Sequence, residues 1–149
     1  MWSFCLKFND FIYCNIRKEL LNGGILLKMK NTVPIRKNTE FLRLYKRGKF
    51  FVGKNIVLYV YKNKMNLNRI GITASKKFGK SVKRNRMRRL IKENYRYYEP
   101  FVNTGYDIVF VARSNEKTPE FLDIKKEMKF LLKKLNIFNQ EKWSCLKDG

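Results

Sequence analysis

The amino-acid sequence predicts an α/β fold, specifically an α+β two-layer sandwich with the element order αβββαβα. Some stretches alternate apolar and other side chains, which is the period of a strand, and others repeat apolar residues every three or four positions, as helices do. With 149 residues, 44% of them hydrophobic, the chain is long and apolar enough to bury the core of one domain.

The first predicted helix covers residues 38–48. Asn38 or Thr39 can cap its N-terminus, and Gly48 suits its C-terminus. Three residues share one face of this helix: Phe41, Leu44 and Tyr45.

Three strands are predicted next, over residues 49–52, 55–62 and 69–75, with a turn at 63–68. The second strand alternates clearly. One of its faces carries Val57, Tyr59 and Tyr61, and the other carries Ile56, Leu58 and Val60.

A long helix is predicted over residues 81–98, because Pro100 prevents its continuation. Residues 106–112 are so apolar that they predict a central strand buried on both faces. A capping residue, a proline and an acid at 118–120 predict the start of the last helix. Its apolar stripe comprises Phe121, Ile124, Met128, Leu131, Leu132 and Leu135.

The two ends of the chain differ from this pattern. Residues 1–28 carry a net charge of only +2, which leaves +20 for residues 29–149. Gly23-Gly24 lies shortly before Met29. A purine-rich ribosome-binding sequence, when it is read in frame, tends to encode such a glycine pair just upstream of a start codon. We hypothesise that translation starts at Met29 and that residues 1–28 are an extension outside a domain of residues 29–138. The alternative is a short N-terminal helix, and residues 139–149 are predicted to be a loose tail.

The charge favours a nucleic-acid partner. Lys and Arg number 34 against 12 Asp and Glu, a formal net charge of +22. A compact fold tolerates such self-repulsion mainly when a polyanion neutralises it. No apolar stretch reaches the roughly 20 residues of a membrane span, and Asp10 and Arg17 interrupt any signal peptide. We therefore expect a cytoplasmic protein without membrane contact.

Side chains suited to catalysis are scarce. The sequence has no histidine, the usual general base near neutral pH. Cys5, Cys14 and Cys145 match no metal-binding spacing, so they are taken as incidental thiols. No catalytic residue and no metal ligand is assigned to the chain.

The segment of residues 75–92 is basic and contains no acid. On a helical wheel its apolar residues fall on one side, and Arg88, Arg89, Lys92 and Arg96 fall opposite. Like charges one turn apart repel each other, so their concentration on one face points to phosphate contacts. The candidate RNA-binding residues are Lys76, Lys77, Lys80, Lys83, Arg84, Asn85, Arg86, Arg88, Arg89 and Lys92.

An aromatic set offers a second kind of contact. Phe41 and Tyr45 lie one helical turn apart, and Tyr59 lies on a strand face. If the first helix lies along that face, the three rings would line a groove for stacking unpaired bases. An aromatic pair at this spacing is as often plain core, so the spacing leaves both interpretations open.

The segment from Ser75 to Lys92 resembles the signature of the bacterial ribonuclease P protein family, above all in Arg84-Asn85-Arg86. The order of the predicted elements agrees with that family. The resemblance covers residues 34–135, and residues 1–28 and the tail fall outside it.

The resemblance implies a ribosomal protein S5 domain 2-like sandwich, with a left-handed βαβ crossover against the usual right-handed rule. In this family a large RNA uses Mg²⁺ to remove the 5′ leader of precursor tRNA, so the chain would be a subunit of an endoribonuclease whose chemistry the RNA performs. The basic helix would bind ribonuclease P RNA in a 1:1 complex. Four residues would line a cleft for the single-stranded leader: Phe41, Tyr45, Tyr59 and Arg113.

Two alternatives come from other classes of protein. A ribosomal or other structural RNA-binding protein would explain the charge but not an aromatic groove. A metal-dependent nuclease needs clustered carboxylates. The acidic residues here are scattered along the chain, at Glu93, Glu99, Asp107, Asp123 and Glu127.

Overall fold

The computed structural model describes residues 29–147 of the chain. The hypothesis of a start at Met29 and the alternative N-terminal helix concern residues 1–28, and they lie outside the described residues, as do Cys5 and Cys14. Met29–Phe138 forms one compact unit. Its principal elements are β1 (Thr32–Pro34), α1 (Asn38–Arg47), β2 (Lys49–Val52), β3 (Ile56–Lys62), β4 (Asn68–Thr73), α2 (Ser81–Tyr98), β5 (Tyr106–Ala112) and α3 (Phe121–Lys134).

The five strands form one sheet in the order β1-β4-β5-β3-β2. β4 and β5 are parallel neighbours, and α2 supplies the long connection that a parallel pair requires. β3 runs antiparallel to β5, and β2 runs antiparallel to β3 as the edge strand. The predicted strand–helix–strand crossover is therefore present, and its left-handedness stays a prediction.

One face of the sheet is covered by α2 and α3. Met87, Ile91 and Tyr95 of α2 are buried, and the ring of Tyr95 meets that of Phe110 in β5 at 5.9 Å. The two helices pack against each other, and the hydroxyl of Tyr98 donates to the carbonyl of Lys125 at 3.0 Å. From α3, the buried residues are Ile124, Met128, Leu131 and Leu132. Most residues of the apolar stripes predicted for both helices thus lie in the main core, but Phe121 is 38% exposed and Leu135 is only half-buried.

The other face of the sheet carries only α1 among the helices of this unit, and α1 packs on β3 and β5. Leu44 of α1, Val109 of β5 and Ile35 form its buried centre. Because side chains alternate along a strand, the consecutive residues Val109 and Phe110 belong to different layers. The predicted α+β sandwich is confirmed, but helices lie on both faces of the sheet, α1 on one and α2 and α3 on the other, so the two layers that were predicted are three.

The sequence-based boundaries differ from the structure at several ends. The first helix has Lys37 at its N-cap position, without a side-chain cap, so the predicted capping by Asn38 or Thr39 is wrong. The last helix begins at Phe121 instead of Thr118, because Glu120 and Asp123 form a reciprocal capping box. The strand predicted to reach Ser75 ends at Thr73, since Ser75 accepts the first hydrogen bond of a 3₁₀ turn, Lys76–Phe78.

Two elements were not predicted. β1 pairs with β4 at the second edge of the sheet; it has three residues and ends in a proline, too short to show alternation. Gln140–Lys147, in the segment predicted to be a loose tail, is a helix, here α4. Asn139 accepts a hydrogen bond from the backbone N–H of Lys142 at 3.0 Å and thereby caps this helix.

Candidate RNA-binding surfaces

The exposed side of α2 and the loop before it form a continuous cationic surface, called here the basic surface. All ten predicted RNA-binding residues lie on it, and nine of them are exposed: Lys76, Lys77, Lys80, Lys83, Asn85, Arg86, Arg88, Arg89 and Lys92. The tenth, Arg84, is half-buried. Within residues 29–147, none of these cations forms an ion pair with a carboxylate. Their charge is therefore available to an external anion.

Local structure fixes the loop that begins the basic surface. Phe78 is buried and anchors the 3₁₀ turn, while its neighbours Lys76 and Lys77 point outward. Gly79 follows with a φ of 145°, a conformation that favours glycine. The chain then enters α2 at Ser81, where no acid occupies the first turn, so the free backbone N–H groups add to the positive potential.

One arginine of α2 is placed differently from the prediction. Arg96 was expected on the solvent side, yet it is half-buried, as Arg84 is. Their Nε atoms are buried without a hydrogen-bond partner among the described residues. The side chain of Asn85 accepts a long contact of 3.5 Å from Nη1 of Arg88.

The predicted aromatic set meets on the opposite face of the sheet. The rings of Tyr45 in α1 and Tyr59 in β3 lie edge to face, with centroids 4.9 Å apart. The hydroxyls of Tyr45 and Thr73 are 3.4 Å apart, so Tyr45 reaches across to β4. Tyr45 is 37% exposed and Tyr59 is half-buried. Together with Phe41, these rings form the aromatic groove.

Phe41 forms the inner wall of the aromatic groove. Its half-buried ring lies against the backbone of Gly71 in β4 and close to Val109 in β5. The sequence left groove and core open for this residue. In the structure Phe41 packs against the core cluster of Ile35, Leu44 and Val109, and Tyr59 packs against the same cluster.

Arg113, the fourth residue predicted for the cleft, directly follows β5 and is exposed. Its Nη1 donates to the carbonyl of Gly53 at 2.6 Å, and its backbone N–H donates to the carbonyl of Asn55 at 2.8 Å. Arg113 is thus held against the turn between β2 and β3, near the strand that carries Tyr59.

An ion-pair clamp fixes α1 over the sheet. Arg69 of β4 donates through Nε to Asp107 of β5 at 2.7 Å, and its Nη atoms bond both Asp107 and Glu40 of α1. The bond to Asp107 is the main cause that raises the pKa of Arg69 above its ordinary value, although burial opposes it. The clamp joins helix and strands distant in sequence, and no local pattern could have predicted it.

Phe50 was not among the predicted site residues. It lies in β2 opposite Tyr59, and the two rings stack with centroids 5.4 Å apart and planes 27° apart. Alternation within Lys49–Val52 and a hairpin pairing with β3 are the sequence signals that could have placed it beside Tyr59.

The described residues contain no group of three or more His, Cys, Asp or Glu side chains that could hold a metal ion. Two of the scattered acids have structural partners: Asp107 binds Arg69, and Glu127 accepts backbone N–H bonds from Asn55 and Ile56. None of the helices within residues 29–147 has the length and hydropathy of a membrane span.

Comparison with known proteins identifies the family. The family model described as Ribonuclease P matches residues 29–136, which is more than half of the chain. The chain belongs to the ribonuclease P protein family. As the protein component of ribonuclease P, it is a subunit of an endoribonuclease holoenzyme that processes tRNA, and it partners with ribonuclease P RNA.

Relatives support this assignment over most of their own length. The Ribonuclease P protein component of Clostridium botulinum (strain Loch Maree / Type A3) is 48% identical over 106 residues, which cover 70% of this chain and 96% of the relative. The Ribonuclease P protein component of Clostridioides difficile (strain 630) is 45% identical over 112 residues, which cover 74% of this chain and 98% of the relative. A ribosomal protein, the alternative drawn from charge alone, is not favoured.

Solved structures of ribonuclease P proteins share the fold. The Staphylococcus aureus protein aligns with a TM-score of 0.65 and 34% identity, covering 71% of this chain and 97% of the other. The Thermotoga maritima protein aligns with a TM-score of 0.62 and 31% identity, covering 68% of this chain and 96% of the other. The predicted α+β sandwich is therefore confirmed by the fold of its relatives as well.

Proposed function

We propose that the chain contacts two RNAs with two faces of one sheet: ribonuclease P RNA with the basic surface, and the single-stranded 5′ leader of precursor tRNA with the aromatic groove. The observation that carries the proposal is the separation of α1 and α2 onto opposite sides of the sheet. Among the described residues, cations without a carboxylate partner lie on one side, and partly exposed aromatic rings lie on the other.

The chemistry of each face suits its proposed partner. Arginine and lysine side chains without carboxylate partners bind phosphates in any sequence, as docking on a folded RNA requires. Aromatic rings stack on unpaired bases, which a single-stranded leader offers and which a mature tRNA lacks at its 5′ end. Arg113, beside the strand that bears Tyr59, would add a phosphate contact to the leader.

Mg²⁺ would serve the RNA–protein complex in the cleavage step, with its ligands supplied mainly by RNA. The complex would contain one protein and one RNA. It would work in the cytoplasm, because precursor tRNA is its substrate.

The test measures binding of two substrates to the holoenzyme reconstituted with ribonuclease P RNA. Tyr45→Ala should weaken binding of precursor tRNA about fivefold or more, since stacking contributes about 1–3 kcal/mol per base. Binding of mature tRNA should stay unchanged. The matched control is Leu42→Ala, because Leu42 lies on the same helix, is 56% exposed and is not part of the aromatic groove.

Two results would contradict the proposal. Equal losses for precursor and mature tRNA would mean that Tyr45 only supports the fold. An unchanged affinity for precursor would mean that the groove does not hold the leader. The companion double variant Phe41→Ala with Tyr59→Ala should enlarge the loss for precursor alone, with thermal unfolding measured in parallel because Phe41 also packs in the core.

A further inference from the structure

Within residues 29–147, the ring of Phe50 in the edge strand β2 contacts one other aromatic ring, that of Tyr59. Phe50 is 57% exposed, although phenylalanine is usually buried. One face of its ring stacks on Tyr59 at 5.4 Å, with the planes only 27° apart. In such a near-parallel stack the second face of Phe50 remains open, in the orientation in which a further planar group can add to the stack.

Phe51, the residue after Phe50, lies on the other face of β2. Phe51 points to the opposite face of the sheet, where its ring meets that of Phe130 in α3 at 5.8 Å. The two adjacent phenylalanines therefore pack on opposite faces of the sheet. Phe50 alone joins the layer of the aromatic groove.

Strand register places Phe50 in line with the groove. Gly71, Val109, Tyr59 and Phe50 are successive neighbours across β4, β5, β3 and β2. Phe41 covers the Gly71 end of this row, and Phe50 occupies its outer end. Since neighbouring strands are about 4.8 Å apart, Phe50 extends the row of rings by roughly one strand spacing beyond Tyr59.

The charge around β2 suits a polyanion. Lys49, the first residue of the strand, is exposed, as are Arg47 before the strand and Lys54 after it. From residue 41 to residue 92 the sequence has seventeen Lys and Arg and no Asp or Glu. Glu127 approaches the turn after β2, but both of its carboxylate oxygens accept hydrogen bonds from Asn55 or Ile56.

We infer that Phe50 is a further stacking position, which binds one additional unpaired nucleotide of a single-stranded RNA at the outer end of the aromatic groove. The occupant is RNA because an open aromatic face and neighbouring cations without carboxylate partners match a base and its phosphate. This inference rests on the proposed function, in which the same groove holds the leader of precursor tRNA, and it sets the length of leader that the protein contacts.

The experiment uses the holoenzyme and a series of precursor tRNAs whose leaders grow one nucleotide at a time. Affinity for the wild-type holoenzyme should rise with leader length and then reach a plateau. With Phe50→Ser the plateau should come about one nucleotide earlier, and affinity for the longest leaders should fall about fivefold to tenfold, the lower part of the range for stacking on a base. Phe50→Trp should keep the full response.

The matched control is Phe51→Ser on the same strand. Because Phe51 faces α3, its loss should leave the leader-length profile unchanged. Thermal unfolding of both variants, followed by circular dichroism, separates a loss of stacking from a loss of folded protein.

The outcomes distinguish this inference from the proposed function. If the wild-type holoenzyme shows no dependence on leader length, both are overturned. If the wild type shows the dependence and Phe50→Ser retains the same plateau and affinity, only the role of Phe50 is overturned. A loss that is equal for leaderless tRNA would also reject the stacking position.

Discussion

Gly71 lies directly beneath the ring of Phe41. A Cβ atom at Gly71 would come within 2.4 Å of Cε1 of Phe41 and within 3.2 Å of a methyl group of Val109. Only a residue without a side chain allows α1 to approach β4 so closely. This contact sets the depth of the aromatic groove.

The first prediction concerns that contact. Gly71→Ala should lower the free energy of unfolding by about 1–3 kcal/mol, the usual effect of overpacking a core, and should weaken precursor tRNA binding because α1 must shift. Urea denaturation measures the first effect. Adding Phe41→Leu to Gly71→Ala should recover part of the lost stability, and no recovery would show that the ring of Phe41 is not the obstacle.

The second prediction concerns the clamp of Arg69 with Glu40 and Asp107. Arg69→Met leaves the carboxylate of Asp107 buried without its cation, which should destabilise the fold by about 3 kcal/mol. Asp107→Asn in the same background removes that buried charge and should restore part of the loss. If Arg69→Met has the same midpoint of urea denaturation as the wild type, the clamp does not stabilise the fold.

The third prediction concerns the basic surface. Arg88→Gln and Arg89→Gln should each weaken assembly with ribonuclease P RNA. Each should also reduce the slope of log affinity against log salt by roughly 0.7–0.9, because one phosphate contact is lost. Lys126→Gln, an equal change of charge at an exposed position of α3, is the control. A slope that changes equally in all three variants would mean that phosphate contacts are not localised on α2.

The fourth prediction concerns alkaline pH. Burial raises the pKa of Tyr95 to about 12, with the hydrogen bond between Tyr95 and Thr32 acting in the opposite direction. The phenol of an unfolded chain titrates near 10. The folded state therefore holds this proton more tightly, so its contribution is fully present below about pH 10 and is lost as pH rises through about 12.

Tyr95→Phe provides the comparison for this titration. Between about pH 10 and 12 the wild type should lose about 3 kcal/mol more of its unfolding free energy than Tyr95→Phe, because two pKa units correspond to that amount. Urea denaturation at a series of pH values measures the difference. Parallel curves for the two proteins would show that Tyr95 is not the responsible group.

The elements best predicted from the sequence are those with strong local patterns. Ser81–Tyr98 and Tyr106–Ala112 have the predicted bounds, because a helix with one apolar side and a fully apolar strand are each evident within a single window. The basic surface follows directly from α2, since nearly all its cations lie on the side away from the core.

Features that depend on contacts between distant residues could not be predicted in this way. The partners of Arg69 lie 29 and 38 positions away, and the close approach of Phe41 to Gly71 requires the packed sheet. Phe50 belongs to a strand of four residues, too short to show which face points to the groove until its pairing with Tyr59 is known.

The placement of consecutive residues of β5 in different layers has an evolutionary consequence. Val109 and Val111 face the side of α1, while Ile108 and Phe110 face the side of α2. Under the proposed function, mutations at alternate positions of this one strand would alter the packing beneath the leader-binding face and beneath the face that binds ribonuclease P RNA separately. The two binding activities would then be able to evolve independently, although one strand supports both.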